Sequence, residues 1–172
     1  KKLEEQVTNK KDRAANIVFT LNRFRLTDKR RTPIDETIFD RIEGLIALWR
    51  EKTKDYGKIY QEGATIIQEM QSLDQRQKEL GLSDLEYAFL LDVEQTWGAN
   101  ETLIDDVKVL CADLSDDMFP GWIAQVSAKK GIEQKVRRFV RRYGKQHRKS
   151  IDEIDILYVK MIDSVREYGN IR

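Results

Sequence analysis

Apolar residues along the chain recur at steps of three and four, the period of a helix rather than the alternation of a strand. Leu3, Val7, Ala14, Ile17, Val18, Leu21 and Phe24 share one face of a helix over about 3–25. A basic, loop-like stretch over 25–32 follows. Thr32 and Pro33 then form a helix start, because Thr is a fair N-cap and Pro is favoured at the first helical position. Asp35 and Glu36 fall in the first turn, where the helix dipole favours acids. Ile34, Ile38, Ile42, Leu45, Trp49 and Tyr56 keep one phase. After Gly57, which can bend or end the helix, the phase is taken up by Ile59, Gly63, Ile66, Ile67, Met70 and Leu73. The spacing predicts one very long helix, or two in line, closing near Gly81 as the residue after the helix end.

Ser83-Asp84-Leu85-Glu86 matches the S-x-x-E capping box. The helix behind it, from Leu82 to Val93, is apolar nearly all round, which predicts a central, buried element. A break at Gly98–Asn100 precedes an amphipathic helix over about 101–114 and a loop over 113–120. A basic helix and a basic turn over 144–149 come next. Ser150-Ile151-Asp152-Glu153 is a second capping box, opening a helix with Ile151, Ile154, Tyr158, Met161, Ile162 and Val165 on one side. The pattern predicts an all-α fold, an irregular bundle of about six or seven helices. Residues 1–80 form a long helical extension or connector, and 81–172 a compact subdomain centred on Leu82–Val93.

The basic helix carries the most distinctive pattern. Ile132, Val136, Phe139, Val140 and Tyr143 fall in one narrow stripe, and Lys130, Lys135, Arg137, Arg138, Arg141 and Arg142 take the rest of the circumference. One side suits a core. The other is either a solvated face or a contact surface for a polyanion or an acidic partner. Overall charge is nearly balanced, with 31 Lys+Arg against 30 Asp+Glu, and so excludes no partner. Locally it is not balanced. Residues 73–120 hold twelve acids and three bases, while 121–150 hold ten bases and one acid. Two such segments attract each other within a fold or present opposite faces to different partners.

Candidate chemistry is sparse. His147 is the single histidine and has no cysteine or acid cluster at ligand spacing. Gly81, Gly98, Gly121 and Gly131 stand alone, without a phosphate-cradling loop. Asp105-Asp106 and Asp116-Asp117 read as solvated faces or helix ends. Trp49 and Trp97 lie on apolar faces, and Trp122 reads as a plug beneath the basic helix rather than a base-stacking platform. No residue is assigned a catalytic, cofactor-binding or metal-ligating role. The lone Cys111 allows no internal disulfide and reads as a buried structural thiol; a chain without disulfides suits the cytoplasm. No apolar run approaches the ~20 residues of a membrane span. The opening Lys1-Lys2-Leu3-Glu4-Glu5 starts in the manner of a helix interior, as in a segment of a larger protein.

The stretch Glu79-Leu80-Gly81-Leu82-Ser83-Asp84-Leu85-Glu86-Tyr87-Ala88-Phe89 resembles a segment in the C-terminal helical region of type I restriction enzyme motor (R) subunits. Trp122 to Tyr143 resembles the motif that follows it, a Trp, a short polar stretch and a basic helix ending in Arg/Lys-Tyr. Lys11 to Ile17 and Pro33 to Trp49 are similar to the helices joining the second motor domain to that region. Phe119-Pro120-Gly121 and the short tail after Tyr168 depart from the pattern. The resemblance implies a non-catalytic assembly domain, docking an ATP-dependent DNA translocase and endonuclease onto its methyltransferase–specificity core in the cytoplasm. It implies ATP and Mg²⁺ for the parent subunit but no cofactor here, and the methyltransferase subunit as partner. The alternative is a nucleic-acid-binding helical module that sets Lys130, Lys135, Arg137, Arg138, Arg141 and Arg142 against DNA phosphates.

Overall fold

The computed structural model describes residues 2–27, 33–34 and 36–169. Seven α-helices and no strand occur among them. The helices are α1 (Lys2–Thr27), α2 (Glu36–Arg50), α3 (Tyr56–Leu80), α4 (Asp84–Trp97), α5 (Leu103–Leu114), α6 (Val126–Gln146) and α7 (Ile151–Tyr168). The chain divides into two compact units, Lys1–Gly81 and Leu82–Arg172.

The first unit is not a long extension. Its three helices pack on one another around a core of their own, in which Ala14, Val18, Leu21, Ile38, Ile42, Leu45, Ile59 and Ile66 are buried. The stretch expected to run as one long helix, or two in line, turns back on itself between Arg50 and Tyr56. The break falls ahead of Gly57. There Asp55 adopts an extended backbone and its carboxylate accepts the Lys58 N–H at 3.1 Å, capping α3. Trp49 and Tyr56 pack ring against ring at 6.1 Å across the corner, and Lys54 sits over the Trp49 ring. A hydrophobic phase that survives an interruption cannot reveal the turn, because burying both faces against one core preserves that phase. The proposed Thr32 cap and Asp35 lie outside the described residues, as do the side chains of Leu3 and Val7. Gly63 permits the close approach of α3 to α1: a Cβ there would lie 2.1 Å from Ile17 Cγ2.

In the second unit, packing runs round a closed ring from α4 to α5, α5 to α6, α6 to α7 and α7 back to α4. α4 is buried on nearly every side through Leu85, Tyr87, Phe89, Leu90 and Val93, as its composition predicts. Both capping boxes form, Ser83 with Glu86 and Ser150 with Glu153. Gly81 ends α3 in the left-handed conformation at φ 63°. Ser164 Oγ donates to Asp92 Oδ2 at 2.6 Å and ties α7 to α4. The rings of Trp97 and Tyr143 stack at 6.0 Å between α4 and α6. Trp49 and Trp97 are only partly buried, because each packs at a helix end.

Candidate cationic interface

α6 begins at Val126 and continues through Gly144 to Gln146. The predicted turn over 144–149 therefore shrinks to His147 and Arg148. Gly144 lies within the helix, where α6, α7 and Trp97 crowd together. A Cβ there would lie 2.6 Å from Ile154 Cγ1 and 3.2 Å from Trp97 Cη2. The lead-in to α6 is fixed by Trp122, which is buried and donates its indole N–H to the Gly169 carbonyl at 3.0 Å. Ile132, Val136, Phe139, Val140 and Tyr143 all face the core, so the basic residues are held to the remaining circumference.

Two of those basic residues are answered within the fold. Lys135 Nζ lies 2.9 Å from Asp117 Oδ2 and 3.8 Å from Asp113 Oδ1, and donates to the Asp113 carbonyl at 2.7 Å. Its pKa is raised, first by the Asp117 hydrogen bond, against a lowering from burial, and further by the charges of Asp117, Asp113 and Asp116. The expected loop before α6 supplies Asp116 and Asp117 from a 3-10 turn at Ser115–Asp117, while Asp113 stands in the last turn of α5. Arg137 lies 3.8 Å from Asp155 of α7 and 4.0 Å over the ring of Tyr158, a cation–π contact.

Arg138, Arg141 and Arg142 make no ion pair or hydrogen bond among the described residues, and all three are exposed. With Gln134, Arg137 and Lys145 they line a shallow concavity of about 490 Å³ that contains no acid. Of the six sequence candidates, the structure thus brings together Arg137, Arg138, Arg141 and Arg142. Lys130 is exposed on the same helix but outside that lining, and Lys135 is turned to the acidic flank. Lys145 was missed by ending the helix at Tyr143. Its spacing of four from Arg141 is the signal that would have placed it on this face.

His147 is exposed, leans on the Tyr143 ring at 4.4 Å, and has Nε2 3.3 Å from Asn100 Nδ2. Burial pushes the Tyr143 pKa up. Cys111 is half-buried, and its thiol is pushed up to about 12, mainly by burial and then by Glu86. No cluster of three or more metal-capable side chains occurs among the described residues. No helix among them is long and apolar enough to cross a membrane. No protein-family description, curated protein or solved structure matches the chain.

Proposed function

We propose that this chain is a non-catalytic helical assembly domain that docks a DNA-translocating restriction subunit onto its methyltransferase–specificity core, and that the cationic face of α6 is the docking surface. The observation that carries the reading is the set of unanswered cations Arg138, Arg141, Arg142 and Lys145 on one helix face. Four like charges within about two turns of helix repel one another and are solvated at best in isolation. An acidic partner surface relieves that repulsion, and arginines serve well there because the guanidinium fork pairs with carboxylates two bonds at a time. The likeness of Glu79–Phe89 and Trp122–Tyr143 to the C-terminal region of type I motor subunits supports the methyltransferase–specificity core as that partner. The parent subunit, on this reading, is cytoplasmic and holds its ATP and Mg²⁺ elsewhere.

The absence of any acid from the concavity lining favours one second reading, contact with DNA phosphates. The two separate cleanly. A pull-down of the methyltransferase–specificity complex by the chain, beside a titration with duplex DNA at two salt concentrations, is the test. Docking predicts capture of the complex that is lost with Arg138→Ala/Arg142→Ala, and no duplex binding. Phosphate binding predicts duplex affinity with a log–log salt slope of about −0.9 per phosphate contacted, reduced by about two contacts in the double variant. A double variant equal to wild type in both assays leaves the face merely solvated and overturns the proposal.

A further inference from the structure

Two aliphatic side chains of α7, Ile156 and Val159, stand in water at 55% and 56% exposure. Three residues apart, they share one face of the helix. Asp152, four residues before Ile156, and Asp163, four residues after Val159, continue the same stripe, and both are exposed. Glu153, Asp155 and Glu167 are exposed on α7 as well, against Arg166 as the one exposed cation of that helix. Glu153 closes the capping box. Asp163 lies 3.6 Å from Arg166, and Asp155 lies 3.8 Å from Arg137, in solvent-exposed pairs that hold their carboxylates weakly. The outer side of α7 is therefore an acidic surface with two aliphatics at its middle.

Its electrostatic opposite lies beside it in the same unit. Arg137 ties α6 to α7 through Asp155 and the Tyr158 ring, so the acidic side of one helix adjoins the cationic side of the other. A second copy of the chain could cover Ile156 and Val159 in more than one way, and charge selects among them. Laying α7 antiparallel on the second copy's α7, with Ile156 against Val159, sets Asp152 against Asp163. Laying the two parallel sets each acid on itself. Laying α6 on α6 sets arginine on arginine. Like charges opposed in this way count against all three. Laying α7 on the second copy's α6 opposes carboxylates to Arg138, Arg141, Arg142 and Lys145, whose long stems can cover aliphatic surface while their heads stay polar. A two-fold axis makes that pairing twice, because the same composite patch serves on both copies.

We propose that this chain forms a two-fold dimer in which α7 of each copy lies on α6 of the other, burying Ile156 and Val159 and setting the carboxylates of α7 against the unanswered cations of α6. The dimer covers the cations that docking requires, so it is a form that cannot dock; that consequence alone rests on the docking reading. The test is sedimentation velocity of the whole chain over a range of concentration. A dimer is expected, weakened at least about tenfold between 0.1 and 1 M salt, as the Debye length falls from ~10 to ~3 Å. Ile156→Asp/Val159→Asp, at two exposed positions, should weaken it at least about tenfold, with helix content by circular dichroism unchanged. Arg138→Glu/Arg142→Glu and Asp152→Lys/Asp163→Lys should each be monomeric alone, and mixing the two should restore a dimer, because both α6–α7 pairings are then between opposite charges. A monomer at every concentration, a dimer indifferent to Ile156→Asp/Val159→Asp, or a mixture that stays monomeric overturns the proposal. So does weaker methyltransferase capture by Ile156→Asp/Val159→Asp, which would make the methyltransferase core the occupant of α7. Capture by a strictly monomeric chain removes this inference alone. A dimer without capture removes the docking reading alone.

Discussion

Lys135 and Asp117 pair at 2.9 Å across the seam between α6 and the acidic turn that follows α5. Gly131, one turn before Lys135, makes room for the pair: a Cβ there would lie 2.8 Å from Asp117 Oδ2. A helical glycine costs about 1 kcal/mol relative to alanine, and here it admits a carboxylate against the helix. The pair sets the edge of the cationic face. The acids of 73–120, rich as they are, answer α6 at this flank through Asp113 and Asp117 and leave Arg138, Arg141 and Arg142 open.

Two glycines are predicted to resist the substitution that helix propensity favours. Gly63→Ala would set a Cβ 2.1 Å from Ile17 Cγ2, and Gly144→Ala would set one 2.6 Å from Ile154 Cγ1. Each should destabilise by about 1–3 kcal/mol through overpacking, although alanine is the better helix former. Denaturant melts check this. A variant at least as stable as wild type would mean the helices move apart without cost.

These contacts mark the boundary of what the sequence made legible. α4 could be placed centrally because Leu82 to Val93 leaves no polar face, a local property. Ser83/Glu86 and Ser150/Glu153 were equally readable, since a capping box is closed by residues three apart. The corner over 51–55 was not, because Asp55 is an ordinary acid until its neighbours bend around it. The candidate surface was half legible. Periodicity put the arginines opposite the buried stripe, but which cations are answered depends on contacts such as Lys135 with Asp113, 22 residues away. The acidic side of α7 adjoins the cationic side of α6 only after the two helices have packed through Arg137. No periodicity within one helix encodes that meeting.

Cys111 should be a slow nucleophile in the native chain. Burial and the nearby Glu86 raise its pKa to about 12, so at neutral pH it is almost wholly thiol, and the thiolate is the reactive form. Labelling by iodoacetamide should be at least about tenfold slower than in denaturant. Equal rates would show that the thiol is neither desolvated nor shielded.

The second capping box makes a prediction about acid. Glu153 has its pKa lowered from 4.5 by the backbone and side chain of Ser150, with Lys149 adding a smaller pull against a slight cost of burial. A depressed folded pKa stabilises the native state above the unfolded value, and the contribution is lost as pH falls through the folded one. Below pH 4.5 the wild type should therefore lose stability more steeply than Glu153→Gln, which keeps an N-cap acceptor without the charge. Carboxyl NMR should place the Glu153 midpoint below 4.5. A midpoint at or above that value contradicts the assignment.

The proposed docking requires α6 to engage its partner through the cations the fold leaves unanswered, and not through those it pairs. The direct measurement is the affinity of the whole chain for the methyltransferase–specificity complex, wild type against two variants. Arg138→Ala/Arg142→Ala removes two open guanidiniums and should weaken binding about tenfold or more, with thermal stability unchanged. Lys135→Ala removes the paired lysine and should leave affinity within about twofold, with any loss confined to stability. Equal affinity for the double arginine variant and wild type would contradict the account, as would a loss confined to Lys135→Ala.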